Sequence, residues 1–95
     1  MQYQRTVLSN GVRIITEELN HVRSVSVGFW FRAGSRHESP EQSGLSHLIE
    51  HMTFKGTSVR SAKDIAVAFD TIGGQVNAYT SKEYTCYFAK LLDQH

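Results

Sequence analysis

Three side chains able to do chemistry together fall within five consecutive residues: His47, Glu50 and His51, in the run Gly44-Leu45-Ser46-His47-Leu48-Ile49-Glu50-His51-Met52-Thr53-Phe54. On a helix, residues four apart project from consecutive turns of one face, so His47 and His51 stand side by side and can share one metal ion. Glu50 falls within the same arc of about 100°. The chemistry this set allows is hydrolytic: two imidazoles hold Zn²⁺, and the carboxylate takes a proton from water that the ion has acidified. The order His-x-x-Glu-His inverts the commoner His-Glu-x-x-His and is a zinc signature in its own right. Three fixed positions also arise by chance, as solvated histidines beside a surface acid, so the pattern draws its weight from geometry and from the rest of the chain.

The flanking sequence indicates which elements must carry this helix. Ser39-Pro40-Glu41 reads as a helix start, with proline at the first helical position and an acid in the first turn, and the helix is expected to run to about Lys55, with Gly56 ending it. Before it, Thr6-Val7-Leu8 and Val12 to Thr16 flank Ser9-Asn10-Gly11, a hairpin signal. Val22 to Phe31 alternates apolar and polar residues as one long strand. Arg32 to Pro40 is a loop by its Gly, Ser and Pro content; His37, within it, reads as a surface histidine. After the motif, Ser61-Ala62-Lys63-Asp64 opens a second helix, Ala62 to about Ile72, closed by Gly73-Gly74. Gln75 to Ser81 and Glu83 to Leu91 alternate as strands, and Leu92 to His95 reads as the start of a further element, a helix. Strands and helices are grouped, which predicts an α+β two-layer sandwich: a mainly antiparallel or mixed sheet with both helices packed on one face.

Composition narrows the function classes. Ninety-five residues, 40% hydrophobic and 20% charged, make one small domain with no internal boundary. Ten basic and nine acidic side chains are dispersed to a net charge of +1, which gives no footprint for nucleic acid or a membrane surface. Cys86 is the lone cysteine, read as a small buried hydrophobe. With no apolar leader and no membrane-length run, the expected location is cytoplasmic.

Several blocks, in order, resemble the N-terminal portion of the insulinase/pitrilysin metallopeptidases, most closely the bacterial processing proteases and the β-subunit of mitochondrial processing peptidase. The blocks are Leu8-Ser9-Asn10-Gly11-Val12, then Gly34-Ser35-Arg36 with Glu38, then Gly44 through Thr57, then Gly73-Gly74-Gln75-Val76-Asn77-Ala78-Tyr79-Thr80-Ser81-Lys82-Glu83-Tyr84-Thr85. The resemblance implies a zinc endopeptidase with His47 and His51 as ligands and Glu50 as general base. It implies that Asn77, Ala78, Tyr79 and Thr80 form an edge strand to which a peptide or unfolded protein substrate adds as a further strand, although an ordinary edge strand would use the same residues. Phe54 then either lines a pocket for the residue after the cleaved bond or belongs to the core. The family's third ligand, a glutamate on a later helix, would lie beyond His95. Residues 1–95 are therefore expected to be the N-terminal part of the first, metal-binding domain of a longer peptidase, inactive alone, with the remainder or a homologous half as partner. A non-catalytic scaffold or substrate-presenting subunit of the same fold is the alternative, and a third ligand from His37, Glu83 or a second copy is a further one.

Overall fold

The computed structural model describes residues 3–95. Strands β1 (Gln4–Val7) and β2 (Arg13–Thr16) pair antiparallel as a hairpin. Its turn is held by Asn10, whose Oδ1 accepts the Val12 N–H at 3.1 Å, as the Asn-Gly signal predicts. Strand β3 (Ser24–Phe31) follows, then helix α1 (Leu45–Thr53), helix α2 (Ala62–Thr71), β4 (Gln75–Thr80) and β5 (Thr85–Leu92). The second sheet is antiparallel throughout in the order β3-β5-β4, and both helices lie against its one face. The α+β sandwich expected from the sequence is the observed class.

Two boundaries depart from expectation. The helix does not begin at Pro40. Ser39 and Gln42 close a capping box over a single 3-10 turn, Pro40–Gln42, and the chain then breaks. Gly44, at φ +85°, makes the break, because a left-handed backbone cannot continue a right-handed helix. Helix α1 starts only at Leu45, and ends at Thr53, not Lys55. At the other end of the chain, Leu91 and Leu92 extend β5 and a turn follows at Asp93, so the helix expected from Leu92 is absent. Helix α2 begins as its sequence predicts: Ser61 Oγ accepts from Asp64 N at 3.1 Å and Asp64 Oδ2 from Ser61 N at 2.9 Å.

The alternation of β3, β4 and β5 sorts their side chains onto two faces. On the helix side, Val27, Phe29, Phe31, Val76, Tyr87 and Ala89 face Ile49, Phe54 and Phe69 across an apolar cleft of about 630 Å³. On the other side, Trp30, Tyr79 and Phe88 lie over Cys86, which is 1% exposed. The helix layer covers the sheet only in part: Phe29 is 62% exposed and Phe31 53%. The accessible surface is 8094 Å², whereas a compact monomer of this mass exposes about 5,500 Å². The radius of gyration, 15.8 Å, likewise exceeds the roughly 12.4 Å of a compact chain of this length.

Candidate metal centre

Helix α1 presents His47 and His51 exactly one i, i+4 step apart, and their rings meet edge to face with centroids 4.4 Å apart. The two Nε2 atoms point at one another at 2.9 Å. Imidazole nitrogens about 2.0–2.1 Å from a tetrahedral zinc stand roughly 3.3 Å apart, so a small opening of this pair admits the ion between them. The donor set fits Zn²⁺ as two ligands of three. Among the described residues no group of three or more His, Cys, Asp or Glu comes together, so neither His37 nor Glu83 completes the set. His37 lines a different cleft, beside Trp30 and Arg36, and Glu83 is paired with Arg36 at 2.7 Å.

Glu50 is partly buried, against the sheet, and the Thr80 hydroxyl donates to its Oε2. This brings together two residues to which the sequence assigned separate roles, a base and a substrate contact. The remaining candidates are distributed by the strand period. Ala78, like Thr80, is on the helix side of β4, while Asn77 and Tyr79 are on the other. Asn77 Oδ1 accepts the Ala78 N–H at 2.8 Å. Tyr79 packs on Tyr84 and Phe88, with ring centroids 5.9 and 6.0 Å away. Phe54 lines the apolar cleft, 6.4 Å from the Tyr87 ring. His47 and Thr80 line a separate, more polar cleft of about 280 Å³ with Glu38, Ser39 and Gly44.

Glu38 is the residue that sequence reasoning left without a role. The start of α1 lacks a capping side chain of its own, since Gly44 occupies that position. Glu38 reaches across from the preceding loop instead: Oε1 accepts from Gly44 N at 2.8 Å and Oε2 from Ser46 N at 2.7 Å. Its loop is fixed in turn by Arg36 N donating to Lys82 O at 2.8 Å, and by the close approach of Gly34, where a Cβ would stand 2.5 Å from Ser81 O. The helix bearing the histidines is thereby tied to the turn that ends β4. The available signal was an acid placed shortly before a glycine and a helix, which is weak because the cap spans six and eight residues instead of the usual three.

The Ser46 backbone bond, with further bonds from the Ser46 side chain and the Gly44 backbone, holds the Glu38 carboxyl below its ordinary value of 4.5. A group depressed in the folded state contributes stability that is present above the unfolded value and is lost as pH falls through the folded one. Glu38→Gln is therefore expected to flatten the pH dependence of helix content below about pH 4.5, measured by circular dichroism during acid titration. An unchanged acid profile would show that the cap carries no net charge-dependent stability.

Comparison with known proteins follows from this geometry. Residues 13–95 match the family model described as Insulinase (Peptidase family M16). A Bacillus subtilis (strain 168) protein, named as an uncharacterized zinc protease, is 62% identical over 92 residues, 97% of this chain and 22% of the relative. The crystal structure of a protease from Helicobacter pylori superposes with a TM-score of 0.87 at 30% identity, over 98% of this chain and 23% of that one. A peptidase M16 inactive domain from Pseudomonas fluorescens reaches a TM-score of 0.90 at 18% identity, which shows likeness of fold alone. The chain thus spans about a fifth of the length of the proteins it matches.

Proposed function

We infer the function from one premise: the chain belongs to peptidase family M16, the insulinase family. The parent protein is a zinc-dependent endopeptidase of the processing-peptidase and pitrilysin type, and these residues are the metal-binding part of its first domain. The observation that carries this reading is the convergence of His47 Nε2 and His51 Nε2 at 2.9 Å on the helix face that also bears Glu50. These two nitrogens would hold Zn²⁺, which when bound supplies Lewis acidity and a water of pKa about 7. Glu50 would act as the general base, its carboxylate placed to accept a proton from the attacking water and to return it to the leaving amine. A third protein ligand comes from outside the described residues. The inverted order of the zinc motif suits this division, since the base directly precedes one ligand and follows the other by a turn.

Strand β4 pairs with β5 only, leaving its second edge open among the described residues. There Asn77 to Thr80 receive an extended peptide or unfolded segment by strand addition, backbone bonds giving affinity and side-chain pockets preference. The uncovered apolar side of β3, with Phe29 and Phe31, is where the remainder of the parent domain packs. No described helix is long and apolar enough to cross a membrane. Separately, the lone cysteine, Cys86, is free and buried, which suits a reducing compartment, and on that ground we infer a cytoplasmic location.

The test is incubation of the zinc-loaded full-length protein with unstructured peptides, alone and with any homologous partner subunit, and mass spectrometry of the products. Internal cleavage abolished by chelator is expected. Zinc binding without cleavage in either condition would favour the scaffold subunit over the enzyme.

A further inference from the structure

We propose that Thr80 is a positioning residue for Glu50: its hydroxyl, presented from a rigid strand end, fixes the orientation of the carboxylate that acts as base. The proposal rests on the endopeptidase reading above and adds a residue to it. Glutamate carries three rotatable bonds, so even a partly buried carboxylate samples several placements unless something holds it. Thr80 donates to Oε2, and the described residues make no other hydrogen bond to the carboxylate, which leaves Oε1 to accept a proton. One oxygen is anchored and the other is free.

The platform behind Thr80 is unusually well fixed for a strand end. Thr80 pairs in register with Thr85, which is 4% exposed and donates through its own hydroxyl to Ala33 O at 2.5 Å. The next residue, Ser81, organises the turn: Ser81 N donates to Tyr84 O at 2.8 Å, and Ser81 Oγ accepts from Tyr84 N at 3.1 Å. The same turn receives the Arg36 N–H at Lys82 O and the Arg36 guanidinium at Glu83. Because Glu38, in that loop, also caps α1, the helix carrying Glu50 and the strand carrying Thr80 are held to one another at both the acceptor and the donor side. A hydroxyl held on packed backbone in this way is what a preorganised base requires. The substrate edge of β4 is a backbone feature, so removal of the hydroxyl leaves it in place.

The experiment compares wild type, Thr80→Val and Thr80→Ser in the full-length protein. Steady-state kinetics on a peptide substrate are run with zinc content measured in parallel. Valine, of the same shape without the donor, is expected to lower kcat about 10- to 100-fold. KM is expected to stay within about twofold and zinc content unchanged, since no ligand is touched, whereas serine, which keeps the hydroxyl, returns most of kcat. A rise in KM at constant kcat would assign Thr80 to substrate contact, and loss of zinc, or failure of serine to rescue, would assign it to structure; each overturns the proposal. A readout independent of turnover is the ¹³C shift of the Glu50 carboxyl in metal-free protein. Valine should move it and serine should not. If the shift is the same in all three proteins the inference fails even when wild type is active, and if wild type cleaves nothing while the shift responds, it is the endopeptidase reading that fails.

Discussion

Glu50→Gln in the full-length protein is expected to lower kcat for peptide hydrolysis by about 10²- to 10⁴-fold, the range that a positioned general base contributes. The substitution is nearly isosteric, and its amide oxygen can still accept the Thr80 hydroxyl that now reaches Oε2, so the helix–sheet contact survives. What disappears is the ability to take a proton. Zinc content should be unaltered because His47 and His51 are untouched, which separates loss of the base from loss of the metal. Initial rates on a fluorogenic peptide, with metal analysis of the same sample, make the measurement. Retained turnover would mean that another group is the base and that Glu50 serves α1 packing alone.

His47→Ala is expected to weaken zinc binding by at least about 100-fold, and His51→Ala by a similar factor. Outer-shell partners of metal ligands alone are worth 10- to 100-fold in affinity, so a ligand removed outright should cost no less. The two histidines lie on an exposed stretch of α1 in direct Nε2 contact, so alanine at either position removes half of the local donor pair with little change in burial. Competition against a chromophoric chelator, with the full-length protein, gives the affinity. Equal affinity in wild type and variant would place the metal elsewhere. The double variant, which keeps neither imidazole, should bind zinc more weakly than either single variant.

Local signals in the sequence specified local structure well. Asn10-Gly11, the Ser61/Asp64 box and the alternation of β3, β4 and β5 each encode a bond or a face within a few residues, and each element is found where its signal lies. The histidine pair was legible for the same reason, since i, i+4 adjacency follows from the helix itself. The false helix start at Pro40 shows the limit. Ser39, Pro40 and Gln42 are all favourable there, but Gly44 adopts a left-handed backbone because Glu38 supplies a better cap one turn later. That cap, like the Thr80–Glu50 bond across thirty residues, depends on how loop, helix and strand are brought together, which no local pattern contains. The strand order β3-β5-β4 and the partial coverage of Phe29 and Phe31 are tertiary in the same sense.

The central place of β5 also sets a chronology. Among the described residues β3 and β4 each pair with β5 alone, so this sheet cannot form until Thr85 to Leu92 have been synthesised and have cleared the ribosome. The histidines stand side by side on α1, but that nine-residue helix takes its cap from Glu38, whose loop is held by Arg36 N donating to Lys82 O in the turn between β4 and β5. The Glu50 carboxylate likewise acquires its Thr80 partner only when β5 arrives and brings β4 into register. The capped helix and the anchored Glu50 carboxylate therefore mature together, when the turn between β4 and β5 closes, and not in the order in which their residues emerge.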